Sequence, residues 1–123
     1  MAKQKIPPDI QCAAEAIIAN FNSAFPANSM QYVPRFKGMY LYLDRSNYGE
    51  KPHAICRLEF TGSIDRWKFA IYKYSKEYYD PDEIFFPGGG HLNGSIEGAM
   101  RCGLEAYPVR TPFMRRPGAN YLR

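Results

Sequence analysis

No stretch of this chain holds the roughly 18 consecutive apolar residues that a helix needs to cross a bilayer. The opening residues Met1 to Ile6 run into Pro7-Pro8 without the apolar segment of a secretory signal, so a cytoplasmic location and no membrane partner are expected. Cysteine is scarce. Cys12, Cys56 and Cys102 are odd in number, widely spaced and free of any C-x-x-C pair, which suits reduced thiols better than a disulfide framework. The only histidines, His53 and His91, belong to no complete zinc motif of two ligand pairs, so neither a metal nor a cofactor is expected. Acids are missing altogether after Pro108, where Arg110, Arg115, Arg116 and Arg123 carry the whole formal charge of +4. Residues 1–107 therefore balance at zero, and the chain reads as one α+β domain over 1–107 with a flexible basic tail over 108–123. Such a tail attracts polyanions, which makes Arg115 and Arg116 candidate binding residues.

Aromatic residues, by contrast, are plentiful: ten tyrosines, eight phenylalanines and one tryptophan. With 46% apolar and 23% charged residues the chain is neither a disordered nor a repetitive sequence, and 123 residues suffice for one core but not for two.

Pro7-Pro8-Asp9 is a helix-opening signal, because proline is tolerated in the first turn and an early carboxylate suits the positive end of the helix dipole. Ile10, Ala13, Ala14, Ile17, Phe21 and Phe25, with Ile18 beside them, recur at intervals of three and four and predict an amphipathic helix that Pro26 ends. The segment from Pro26 to Pro34 reads as a loop. From Phe36 the period changes to two, with Met39, Leu41 and Leu43 against Tyr40 and Tyr42, a first strand. Cys56, Leu58 and Phe60 alternate with Arg57, Glu59 and Thr61 in a second. After the Gly62-Ser63-Ile64-Asp65 reversal, Trp67, Phe69 and Ile71 alternate with Lys68, Ala70 and Tyr72 in a third. Residues 75–94 are irregular and read as a long loop with one brief edge strand at Ile84-Phe85-Phe86. Ser95 caps a final helix carrying Ile96, Ala99, Met100 and Leu104 on one face and stopped by Pro108. Gly98 and Gly103 weaken that helix by about 1 kcal/mol each relative to alanine, so close packing against a neighbour is expected to compensate. The expected fold is an α+β two-layer sandwich: a three-stranded antiparallel meander with both helices on one face, in the order α-β-β-β-α. Double-stranded RNA-binding domains share that order. Their second helix opens on a lysine cluster, however, whereas Ser95-Ile96-Glu97-Gly98 carries an acid and no lysine, so no residue is carried over.

The uncovered sheet face then presents Tyr40, Tyr42, Arg57, Glu59, Lys68 and Tyr72, with Tyr74 nearby. Rings that stack on unpaired bases, set beside cations that attract phosphates, are the physics of sheet-based single-strand binders. The strand propensity of tyrosine accounts for the same residues without any ligand. The glycine-rich Gly88-Gly89-Gly90 run before the last helix lacks the lysine of a phosphate loop, and Asn93 stands where a dinucleotide fingerprint needs glycine, so it reads as a connector. Asp80, Asp82, Glu83 and His91 gather nearby without the spacing of a calcium loop.

Two functions of different kinds follow. The preferred one is a non-catalytic interaction module that uses the tyrosine-rich basic face (Tyr40, Tyr42, Arg57, Lys68, Tyr72, with Arg115 and Arg116) to hold a protein partner, a second copy in a homodimer, or a nucleic acid. The alternative is a small enzyme in the 80–94 loop, with His91 as base and Asp80 or Asp82 assisting.

Overall fold

The computed structural model describes residues 5–26, 29–82 and 88–108. Helix α1 (Pro8–Asn22) opens on Pro7 with Asp9 in its first turn and closes at Ser23, whose N–H reaches the Ala19 carbonyl at 3.0 Å. Ala14 and Ile18 are fully buried and Ile10, Ile17, Phe21 and Phe25 lie against the core, whereas Ala13 faces water. The helix therefore ends four residues before Pro26, and Phe25 packs from the turn beyond it.

The sheet has five antiparallel strands rather than three, in the order β1-β2-β3-β4-β5: β1 (Met30–Lys37), β2 (Tyr40–Asn47), β3 (His53–Phe60), β4 (Trp67–Lys73) and β5 (Tyr78–Asp80). Strand β1 occupies most of what reads as a loop. Pro34 misleads there, because a proline removes a ladder donor and argues against a central strand, yet β1 is an edge strand where that loss is tolerated. Phe36 thus belongs to β1 and pairs with Leu41 across a two-residue reversal, Gly38-Met39, in which Gly38 has φ +60°. Strand β5 lies inside the segment read as irregular. The Ile84-Phe85-Phe86 run and Glu83 fall outside the described residues, as does the stretch 109–123 with Arg110, Arg115, Arg116 and Arg123.

The β2–β3 register shifts between Leu43 and Asp44: Leu43 faces Cys56 and Asp44 faces Ala54, so Ile55 is the extra residue of a bulge. The bulge turns Ile55 and Cys56 toward the same side, and both are buried. Helix α2 (Ile96–Ala106) opens on Ser95, whose Oγ accepts from the Gly98 N–H at 3.0 Å. Its buried Ile96, Ala99 and Met100 join Ala14 and Ile18 of α1 and Leu41, Leu43, Leu58 and Ile71 of the sheet in one core. Both helical glycines sit at close approaches: a Cβ on Gly98 would lie 2.5 Å from the His91 carbonyl oxygen, and one on Gly103 would lie 2.5 Å from the Tyr32 hydroxyl.

Strand alternation carries Arg45, after Leu41 and Leu43, onto the core side, where it is only 2% exposed. Helix α2 has no basic residue in its last turn, and Arg45 supplies the cation from the sheet. Its guanidinium donates to the Gly103 carbonyl at 3.2 Å, to the Tyr107 carbonyl, and to Asn47 Oδ1 at 3.1 Å. It also lies 5.8 Å from the centre of the Tyr32 ring. All three cysteines are free. Cys12 is exposed, while Cys56 and Cys102 are buried, and burial pushes the Cys102 thiol up to about 12 and the Cys56 thiol well above its ordinary value. Among the described residues no helix is long and apolar enough to cross a membrane.

Candidate interaction face

The face of the sheet turned away from the helices is built by register. Tyr42 stands opposite Arg57, which stands opposite Ala70; Tyr40 stands opposite Glu59, which stands opposite Lys68. Tyr40, Tyr42, Arg57, Lys68 and Tyr72 therefore do share one surface. Three residues that sequence reasoning passed over join them. Arg35 enters from β1 opposite Tyr42, Tyr79 enters from β5 opposite Tyr72, and Asp44 lies farther along β2. The signal for Arg35 and Tyr79 was the alternation in Met30 to Lys37 and in Tyr78-Tyr79-Asp80, hidden by Pro34 in the first case and by brevity in the second, while Asp44 continues the alternation of Tyr40 and Tyr42.

The rings do not stand apart as separate platforms. Tyr42 and Tyr79 meet edge to face with centroids 5.4 Å apart, although β3 and β4 separate their strands. They close over the position of Ala70, which is only 3% exposed despite lying on this face. Tyr79 continues to Tyr72 at 4.9 Å, Tyr72 to Tyr74 at 4.8 Å, and Tyr74 to Tyr107 at 5.5 Å. On the other side Tyr42 contacts Tyr40 at 6.2 Å. Two guanidinium groups lie over these rings: Arg35 is 4.6 Å from the centre of Tyr42, and Arg57 is 4.5 Å from Tyr40 and 5.4 Å from Tyr79. Such contacts are worth about 0.5–1 kcal/mol each at exposed sites.

Charge on the face is largely internal. Arg35 Nε donates to Asp44 Oδ2 at 2.7 Å, and that hydrogen bond holds the Arg35 guanidinium above its ordinary range. Lys68 is exposed opposite Glu59. Two phenols are partly shielded: partial burial pushes Tyr74 and Tyr79 up to about 12, with Tyr72 adding to it at Tyr74 and Asp44 at Tyr79. In the unfolded chain the same phenols ionise near 10. Above that pH the unfolded state binds fewer protons than the native one, so stability falls as pH rises from about 10 toward 12. A spectrophotometric titration of phenolate absorbance should show part of the tyrosines ionising only together with loss of the fold; smooth titration of all of them near 10 in the native state would contradict this burial.

Among the described residues no hydrogen bond or ion pair joins His91 to Asp80 or Asp82. Asp80 accepts from Lys73 at 3.2 Å, from the Tyr78 hydroxyl at 3.1 Å and from the Asp82 backbone N–H at 2.9 Å. The bond from Asp82, followed by those from Lys73 and Tyr78, lowers its pKa. Asp80 and Asp82 thus form the turn that closes β5. His91 lies in a 3-10 turn (Gly89–His91) and pairs through Nε2 with Glu105 of α2, a carboxylate that no motif singles out. His53 is 3.8 Å from Glu50 in an exposed pair. Among the described residues no group of three His, Cys, Asp or Glu side chains converges on a metal position. Arg115 and Arg116 lie outside the described residues. No protein-family model, no curated protein and no solved structure matches this chain.

Proposed function

We propose that this chain is a non-catalytic interaction module whose working surface is the tyrosine and arginine face of the sheet, and that the surface it fits is that of a protein. One observation carries the choice of partner. The ring faces that a nucleobase would stack on are already taken, Tyr42 by Arg35 and Tyr40 by Arg57, and the rings pack edge to face on one another. A polyanion is also poorly matched to a face where Asp44 neutralises Arg35 and Glu59 stands opposite Lys68. Pre-packed Tyr and Arg side chains instead offer broad amphipathic contact at a small entropic cost, which is why both types are enriched at protein interfaces. Acids and bases on one face also make it self-complementary, as a two-fold interface requires, so a second copy is the first partner to test.

Sedimentation over a concentration series should show a dimer that Tyr42→Ala and Tyr72→Ala each weaken about tenfold or more, the cost expected of central aromatic anchors. A monomer at high concentration removes the second copy as partner. Titration of labelled protein with single-stranded RNA supplies the opposing outcome: shifts at Tyr40, Tyr42 and Tyr72, with an affinity that falls steeply with salt, would replace the protein reading by the nucleic-acid one.

A further inference from the structure

On the opposite side of the molecule a groove runs between α1 and α2. It consists of two adjoining cavities, of 540 and 380 Å³, which share His91, Glu97 and Arg101 along their common border. The floor is apolar: Ile17 and Ile64 in the larger cavity, Phe21, Phe25 and Leu104 in the smaller. The rim is acidic, with Asp65, Glu97 and Glu105 against the single guanidinium of Arg101. Arg101 is itself held by Glu97 at 3.0 Å and His91 by Glu105, so both α2 carboxylates are already paired, and the rim is acidic because three carboxylates, Asp65 among them, stand against one guanidinium. An acidic rim over an apolar floor selects a ligand that is basic and apolar at once.

The chain carries one segment of that composition. Between Val109 and Arg123 stand four arginines, Phe113, Met114, Tyr121 and Leu122, and no acid. It follows α2, and Leu104 and Glu105, in the last turn of that helix, already line the groove. Fully extended it reaches about 50 Å, against about 16 Å for the length of α2. We infer that the groove between α1 and α2 is the docking site of the chain's own basic segment 109–123, its apolar residues matched to the Phe21, Phe25 and Leu104 floor and its arginines to the net negative charge of the rim. This goes beyond the reading of the sheet face, which it leaves intact, and it gives Arg115 and Arg116 an intramolecular role in place of a ligand.

The full chain tests it. Cys12→Ser removes the one exposed thiol among the described residues, and Ala119→Cys provides a site for a nitroxide label, Cys56 and Cys102 being buried. Amide signals of Phe21, Ala24, Leu104 and Glu105 should broaden selectively, and Arg115→Glu with Arg116→Glu should reduce that broadening severalfold at low salt. Selective broadening of Arg57 and Lys68 instead, or none above a diamagnetic control, overturns the inference. So does broadening that appears only between separate labelled and unlabelled chains in a mixture, which would assign the groove to a second copy.

Discussion

Arg45→Met lowers the stability of the fold by about 3 kcal/mol, the effect expected when buried acceptors lose a charged donor. Methionine retains most of the stem and its packing, so the loss isolates the head group. The Tyr107 carbonyl would lose its guanidinium donor at the C-terminal end of α2, and the Gly103 carbonyl would fall back on the Tyr107 N–H at 2.9 Å. Exchanging a buried ion for an apolar side chain is often neutral when its partners leave too, but here the backbone carbonyls remain. Arg45→Lys should recover less than half of the loss, since a point-charge ammonium cannot reproduce a fork that spans Gly103, Tyr107 and Asn47. Urea unfolding measures both variants. A midpoint for Arg45→Met corresponding to a loss under about 1 kcal/mol, with unchanged slope, would show that the helix end does not depend on this cation.

Gly103→Ala tests a second contact at the same end of α2, and two effects of opposite sign compete. Alanine favours the helix by about 1 kcal/mol, whereas overpacking a dense core costs about 1–3 kcal/mol. Geometry decides between them: the added Cβ would meet the Tyr32 hydroxyl at 2.5 Å and Ile55 Cγ2 at 2.7 Å. Neither neighbour yields easily. Tyr32 donates its hydroxyl to the Met100 carbonyl at 2.7 Å, and Ile55 is fixed by the β3 bulge. A net loss of about 2 kcal/mol is expected. Because the nearest obstacle is a single oxygen, Tyr32→Phe should soften the effect, giving a favourable coupling of about 1 kcal/mol in a double-mutant cycle. An increase in stability for Gly103→Ala alone would mean that α2 shifts freely on the sheet.

Where local pattern and tertiary environment agree, the chain can be read directly. The intervals of three and four in Ile10 to Phe21, the Ser95 cap and the alternation in Cys56 to Phe60 all correspond to observed elements, because in each the side-chain period is also the period of burial. The two missed strands are those in which the local signal conflicts with position. Pro34 forbids a central strand but not an edge one, and Tyr78-Tyr79-Asp80 is too short to show a period. Arg45 was legible in principle, since continuing Leu41 and Leu43 by two residues points it inward. A charge in that place looks solvated until the end of α2 is known to need it. The sheet-face tyrosines follow from alternation alone, but their packing does not: contact between Tyr42 and Tyr79 needs Ala70 between them and side chains leaning together from strands far apart in sequence. His91 pairs with Glu105 for a similar reason, because two segments 14 residues apart meet only once α2 has folded.

The two margins of the sheet bear on how this molecule associates. At one margin a proline interrupts the row of amide donors that a docking strand would need, and at the other the border is only three residues long. Among the described residues neither margin presents a long unbroken row of such donors, which works against growth by strand addition, productive or pathological. If the sheet face is the working surface proposed above, recognition falls to its side chains, which makes the identity of a partner a matter of shape and chemistry rather than of any chain able to lie flat.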